Sequence, residues 1–402
     1  MLFFHPPHSE NSSKRPLRRA VFASTPTARA VKLIATLCIG VSVLVIAASP
    51  ASARELKLAV GFPQGTAAYH GLEAFGKALK EKSGGELEVK LFPLSLLNLP
   101  QMMNGVRDGI VDIGFVLPPL FPSELPETHL AVDIAMLGSN PWAMAGAMTE
   151  YVFTCQECLA EHLKNNQVYL GSSSTAPYMI MSTKKAVTLD EIRGKKLRSG
   201  AAPWARWAQN FGAVALTIPG NQVFESVSGG TVDGAMVSAA ELSNLRLIDV
   251  VKFITVGVPT GTYHGIDNNN FNRNTWRSLT EAQRKAVLEA SAMSTAAVTW
   301  KYVSDGVQNM KDAQQKGIQV HQAPADVVAR SKAFIDSDLA TIAQAAEKNS
   351  GIKNASQKIA RFRQLVEKWE KLMPEGNWEP SKLAEVYYRE IYSKIDPKTH
   401  GM

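Results

Sequence analysis

Val106-Arg107-Asp108-Gly109-Ile110-Val111-Asp112-Ile113-Gly114 returns, altered but recognisable, as Val227-Ser228-Gly229-Gly230-Thr231-Val232-Asp233-Gly234-Ala235. Each copy reads as a helix end, a glycine that supplies the left-handed cap, and a short strand whose Val-Asp pair stops at a small residue. Small residues there let a ligand or another backbone come close. The copies lie about 120 residues apart. They predict two lobes, each ending a strand at a common cleft. So short a pattern also arises by chance, and the rest of the chain has to agree with it.

Outward from these copies, short β-rich runs alternate with amphipathic helices, which predicts an α/β architecture. Residues 56–62 and 87–92 read as strands. Between them 69–82 reads as a helix with Leu72, Phe75 and Leu79 on one face, closed by Ser83-Gly84-Gly85. A strand over 168–181, a turn over 190–194, a strand over 195–198 and a helix over 204–211 separate the two copies. Residues 266–271 read as a later strand. Thr280-Glu281-Ala282-Gln283 is a capping box, and the helix it opens meets no breaker before Gly317 apart from Gly306. Such a helix of ~36 residues is ~54 Å long, against ~30 Å for a small lobe, and is expected to cross both. Pro374 and Pro380 bracket a break ahead of a final helix over 381–395. The expected organisation is lobe 1 over 54–177 and 265–305, lobe 2 over 178–264 and 306–375, and a C-terminal helix within 376–402.

The amino terminus differs from everything after it. Lys14, Arg15, Arg18, Arg19, Arg29 and Lys32 precede an uncharged run over 33–48, then Pro50 and Ala51-Ser52-Ala53. That order is a secretory signal peptide over 1–53, with cleavage expected after Ala53 and the periplasm as destination. The apolar run is shorter than the ~20 residues of a membrane span. The segment holds six basic residues against one acid, Glu10, so the net charge of +7 falls to about +2 without it. The basicity therefore belongs to export and does not argue for nucleic-acid binding.

No nucleophile elbow, phosphate-binding loop, dinucleotide fingerprint or His-Glu-x-x-His metal motif is present. No cofactor and no metal are expected, and the histidines form no close pair with ligand spacing. Cys155-Gln156-Glu157-Cys158 has redox or metal spacing, inside a stretch over 150–164 that reads as a helix. In an oxidising compartment a local disulfide is the first reading, two free thiols the second and half a metal site the third. Arg198 ends the strand-like Lys195-Lys196-Leu197-Arg198 ahead of Ser199-Gly200 and a helix with Trp204 and Trp207. A guanidinium at the carboxyl end of a strand suits bidentate carboxylate capture. The plainer reading makes Arg198 one more base in a solvated cluster with Arg193, Lys195 and Lys196.

Leu189-Asp190-Glu191-Ile192-Arg193-Gly194-Lys195-Lys196-Leu197-Arg198 resembles the Leu-x-Gly-x-Lys-x-Arg stretch of DctP-type solute-binding proteins of TRAP (tripartite ATP-independent periplasmic) transporters. Phe211-Gly212-Ala213, Phe224-Glu225-Ser226-Val227, Gly230-Thr231-Val232-Asp233-Gly234-Ala235, Gly109-Ile110-Val111-Asp112-Ile113 and the Trp276 to Gln283 stretch match further family elements in order. The resemblance implies a two-lobed periplasmic binding protein fold with a hinge, expected around residues 176–180 and 262–270, and a long lobe-spanning helix. It also implies closure on a small organic carboxylate and delivery to membrane permease subunits. The carboxylate-binding arginine of the family falls on Arg198. Pro177-Tyr178 and Val237 stand where relatives often carry polar groups, which argues against a very polar ligand. Tyr178, Trp204, Met236, Val237 and Tyr263 are expected to make a partly apolar pocket, Tyr178, Tyr263 or His264 to add hydrogen bonds, and Tyr69 to join them. An exported enzyme and a ligand sensor on the same fold are the alternatives.

Overall fold

The computed structural model describes residues 53–402, so the expected signal peptide lies outside the described residues up to Ser52. Among the described residues the strands are β1 (Arg54–Ala59), β2 (Leu87–Phe92), β3 (Ile113–Val116), β4 (Gln167–Val168), β5 (Ser172–Ser173), β6 (Tyr178–Ser182), β7 (Lys196–Ser199), β8 (Val214–Thr217), β9 (Gly234–Ser238), β10 (Phe253–Val256), β11 (Ile266–Asn272) and β12 (Gln319–Gln322). They form two six-stranded sheets, and the fold is two-lobed α/β. One sheet has the order β2-β1-β3-β11-β4 with β5 also on β11, and the other β12-β10-β6-β9-β7-β8.

The two copies of the sequence motif occupy matching places in these sheets. β3 runs parallel to β1 and β9 parallel to β7, and each has an antiparallel strand on its other side, β11 and β6 respectively. Gly109 and Gly230 end their helices with φ of 74° and 72°, which a residue with a Cβ adopts only under strain. The Asp112 N–H donates to Lys57 O on β1, and a carboxylate oxygen of Asp112 accepts from the Lys57 N–H at 2.9 Å. Asp233 makes the same two bonds with Lys196 on β7, its carboxylate again at 2.9 Å. The motif is thus one structural device used twice. Its aspartate anchors the start of a central strand to the neighbouring parallel strand.

β3 and β9 are buried along their whole length, as central strands covered on both faces must be. Two extended crossings join the sheets, between β5 and β6 and between β10 and β11, and the long helix carries the chain across again from β11 to β12. The extended crossings run side by side. Pro177 bridges Thr262, the Thr175 N–H donates to Tyr263 O at 2.9 Å, and the Tyr178 N–H donates to Gly261 O at 2.9 Å. The long helix Glu281–Gln315 has 35 residues and opens on the Thr280–Gln283 capping box. It packs along Ala67–Lys82, where Gly71 meets Val298, and further on Gly306 faces Ala239 beside β9.

Four local expectations change. The strand expected over 168–181 is three short strands, because Gly171 turns the chain at φ 128° and Pro177 offers no N–H to a ladder. The helix expected over 150–164 breaks at Thr154 and Cys155; Cys155 then caps Gln156–Lys164, its sulfur accepting from the Cys158 N–H at 3.1 Å. The final helix is Pro380–Glu390, followed by a separate 3-10 turn at Tyr392–Lys394. The helix expected over 204–211 begins earlier, as Ala202–Asn210, with Pro203 in its first turn. Helix Ala355–Leu372, inside the segment read as lobe 2, packs on Pro141–Phe153 through Trp369 against Gly146 and Phe362 against Tyr151. Cys155 and Cys158 are joined by a disulfide.

Candidate functional site

A cavity lies where the carboxyl ends of strands from both sheets meet. The first sheet supplies Phe62 and Phe115, edge to face at 5.9 Å, with Leu117 and Ile266. The second supplies Arg198, Gly200 and Val237. Thr175, Tyr178 and Tyr263 come from the crossings, and Tyr302 from the long helix. Near it, Asn244 Oδ1 accepts from the Ala67 N–H at 3.1 Å, tying a helix of one lobe to the other. The volume open to the centre of a water-sized sphere is about 50 Å³. One water needs roughly 10–15 Å³ on that measure, so the space matches about three to five waters or one small organic molecule.

Arg198 is held by its strand. β7 pairs in parallel with β8 and β9, with Arg198 opposite Leu216 and Ala235. Its side chain is 5% exposed, and its Nε donates to Ile218 O at 2.8 Å. Among the described residues no carboxylate lies within 4.0 Å of it. Gly200 permits this arrangement: a Cβ there would lie 3.2 Å from Nη1 and 3.4 Å from the Tyr178 hydroxyl. Arg193, in the sequence cluster, is instead an exposed turn residue beside Asp190. Burying a guanidinium without a charge partner is costly, and the cavity is where a partner fits.

The other sequence-chosen residues divide. Tyr178, Tyr263 and Val237 line the cavity with Arg198, whereas Trp204, Met236, His264 and Tyr69 do not. Met236 and Val237 are neighbours on β9, and successive side chains of a strand face opposite ways, so only one of them can point at the cavity. Trp204 stands behind the wall. Its Nε1 donates to Thr260 O at 2.9 Å, and its ring lies against Tyr178 at 4.4 Å and Tyr263 at 5.6 Å. It fixes the two tyrosines. His264 is fully buried, with Nε2 at 3.0 Å from Ala131 O and Nδ1 at 3.3 Å from Thr262 O. Burial lowers its pKa to about 4, so it is neutral at pH 7 and serves as a strut. Tyr69 lies in the core on helix Ala67–Lys82.

Sequence reasoning missed Glu241 and Tyr302, both in the wall. Tyr302 was findable, because it continues the buried Thr295, Thr299 spacing along the long helix. Glu241 follows β9 in a four-residue helix and carried no local signal. Burial raises its carboxyl to about 7, against the pull of Arg198. Burial likewise keeps the phenols of Tyr178, Tyr263 and Tyr302 protonated, as neutral donors. The cavity thus offers one cation, several hydroxyl donors and an apolar wall. That set can hold an organic anion, and none of these lining groups forms a nucleophile–base pair. Among the described residues no His, Cys, Asp or Glu cluster is arranged for a metal ion, and no helix is long and apolar enough to cross a membrane.

Comparison with known proteins agrees with this architecture. A solute-binding protein of Albidiferax ferrireducens is 22% identical over 219 residues, covering 53% of this chain and 64% of the relative. The outer membrane transporter protein TsaT of Comamonas testosteroni is 22% identical over 256 residues, covering 63% and 74%. The chain thus matches just under two thirds of the first relative's length. Among solved structures, a TRAP periplasmic solute-binding protein of Bordetella bronchiseptica with bound (R)- and (S)-mandelate superposes with a TM-score of 0.68 at 21% identity, covering 78% of this chain and 99% of the other. A Rhodoferax ferrireducens TRAP solute-binding protein with copurified benzoate gives a TM-score of 0.70 at 18% identity, covering 79% and 99%. The family model described as bacterial extracellular solute-binding protein, family 7 (DctP) matches residues 59–345, so this chain belongs to that family.

Proposed function

We propose that this protein captures a small organic carboxylate between its lobes and hands it to the permease subunits of a TRAP transporter. The observation that carries the proposal is Arg198, buried in the cavity wall with no carboxylate within 4.0 Å among the described residues. An incoming carboxylate supplies the missing charge, and the hydroxyls of Tyr178 and Tyr263 are placed to add hydrogen bonds. The small volume and the phenylalanine and leucine walls favour an aromatic or short aliphatic acid over a sugar acid. Structural relatives crystallised with mandelate, benzoate and 3-hydroxybenzoate support that size class. In this reading 54–177 and 265–305 move against the lobe that carries β6 to β10, about the two crossings, and helix Ala355–Leu372 travels with the first lobe. The segment over 1–53 directs the chain to the periplasm and is removed.

A thermal-shift screen of the mature protein against about a hundred organic acids tests the proposal. A ligand at 100 times its dissociation constant adds ~2.7 kcal/mol to stability, a clear rise in Tm. No shift with any carboxylate defeats it. Recovery of a chemically changed acid after incubation defeats the non-catalytic role.

A further inference from the structure

Glu241 opens the short helix Glu241–Asn244 after β9 and puts a carboxyl group in the same cavity wall as Arg198. Among the described residues it makes no ion pair within 4.0 Å. Its polar surroundings are Arg198 on β7, Asn244 on its own turn, the Tyr302 phenol across the wall, and Asp305, which is paired with Lys301 on the long helix. Burial disfavours the ionised form and outweighs the opposing pull of Arg198, with a smaller contribution from the Asp305 charge. Leu245, Val237 and Phe62 supply apolar lining in the same wall.

A site that only gripped an anion would gain nothing from this residue. As a carboxylate, Glu241 repels the ligand; as a carboxylic acid, it is a polar group that the ligand shields from water. Either form is satisfied by a ligand that brings its own hydrogen-bond donor to the carboxyl oxygen. A donor-free acid of the same size strands the carboxyl, and sites built around such a bond reject ligands that lack it.

We infer that Glu241 selects the ligand: the acid this protein takes carries, besides the carboxylate held by Arg198, a hydroxyl or N–H donor that Glu241 receives. The inference rests on the carboxylate reading of Arg198. It narrows the ligand class to hydroxy acids and acids with an amide or lactam N–H.

Calorimetry with matched pairs tests it: mandelate against phenylacetate, 3-hydroxybenzoate against benzoate, and pyroglutamate against cyclopentanecarboxylate. The wild-type protein is expected to bind at least one donor-bearing acid about tenfold or more tightly than its partner. Glu241→Leu is expected to bring that ratio within about twofold while keeping or improving affinity for the donor-free acid. Glu241→Gln, which keeps the size and an acceptor oxygen, is expected to retain part of the ratio. Equal binding within every pair that binds, or a ratio that survives Glu241→Leu, overturns the role of Glu241 and leaves the carboxylate reading standing. Binding of no acid in any pair overturns both.

Discussion

Replacing Arg198 by Ala removes a charge-assisted fork and leaves the bound acid with a buried, unpaired charge. Breaking such a pair costs ~3–5 kcal/mol, so affinity is expected to fall at least ~100-fold while the protein stays folded. Arg198→Lys is expected to bind poorly as well, because a point charge does not reproduce the planar fork. Arg193→Ala is the control, since Arg193 is an exposed turn residue. Calorimetry with an acid from the screen separates the readings: if Arg198→Ala binds like Arg193→Ala, the anion site lies elsewhere. Arg198 was legible before the fold because a strand end, a following Ser-Gly and the family stretch coincide on it. His264 was chosen for its chemistry alone. In the structure its ring nitrogens lie beside backbone carbonyl oxygens, to one of which the neutral ring donates, and nothing in the local sequence announces a neighbour as far away as Ala131.

At the scale of elements, helix Ala67–Lys82 packs closely on the long helix at Gly71. A Cβ on Gly71 would lie 2.3 Å from Val298 Cγ2 and 2.6 Å from its Cα. The second contact is to backbone, so no rotamer change relieves it. Gly71→Ala is expected to cost about 1–3 kcal/mol, by the usual measure of overpacking. Thermal unfolding of the variant checks this; an unchanged Tm would mean that the two helices separate without cost. The long helix itself was readable to within a residue, since its capping box and lack of breakers are local facts. The segment over 168–181 was not. Its β-rich composition is real, but after Gly171 turns the chain, Gln167 and the Ser172-Ser173 pair serve two short pairings with β11 and side-chain bonds into the core rather than one ladder.

For the whole molecule, Glu241 links stability to pH. Its carboxyl has an ordinary value of 4.5 and is raised to about 7 in the folded protein by burial. Between these values the folded state holds a proton that the unfolded chain has released. Its contribution is therefore full below pH 4.5 and is lost as pH rises through 7. The Tm of the ligand-free protein is expected to fall between pH 5 and 8 more steeply in the wild type than in Glu241→Gln. Parallel curves would show that Glu241 titrates normally. Export is checked by mass spectrometry of the periplasmic protein, which is expected to begin at Arg54 or a near neighbour; a membrane-bound product retaining residues 1–53 would contradict the signal-peptide reading.

The sequence by itself determined the parts that depend on neighbours along the chain. These are the alternation of strands and helices, the capped long helix, the duplicated Gly-x-Val-Asp device, and Arg198 at the end of a strand. Periodicity, capping and glycine conformation act over a few residues, so they can be read from a few residues. Only the tertiary structure decided which side chains face the cavity. That choice follows from the parity of β9, which turns Val237 inward and Met236 away. It follows equally from the two crossings that bring Tyr178 beside Tyr263 with Trp204 behind them, and from a four-residue helix that sets Glu241 in the wall that holds Arg198. These contacts join residues up to a hundred or more positions apart, and burial of a charge exists only once such distant segments have closed around it.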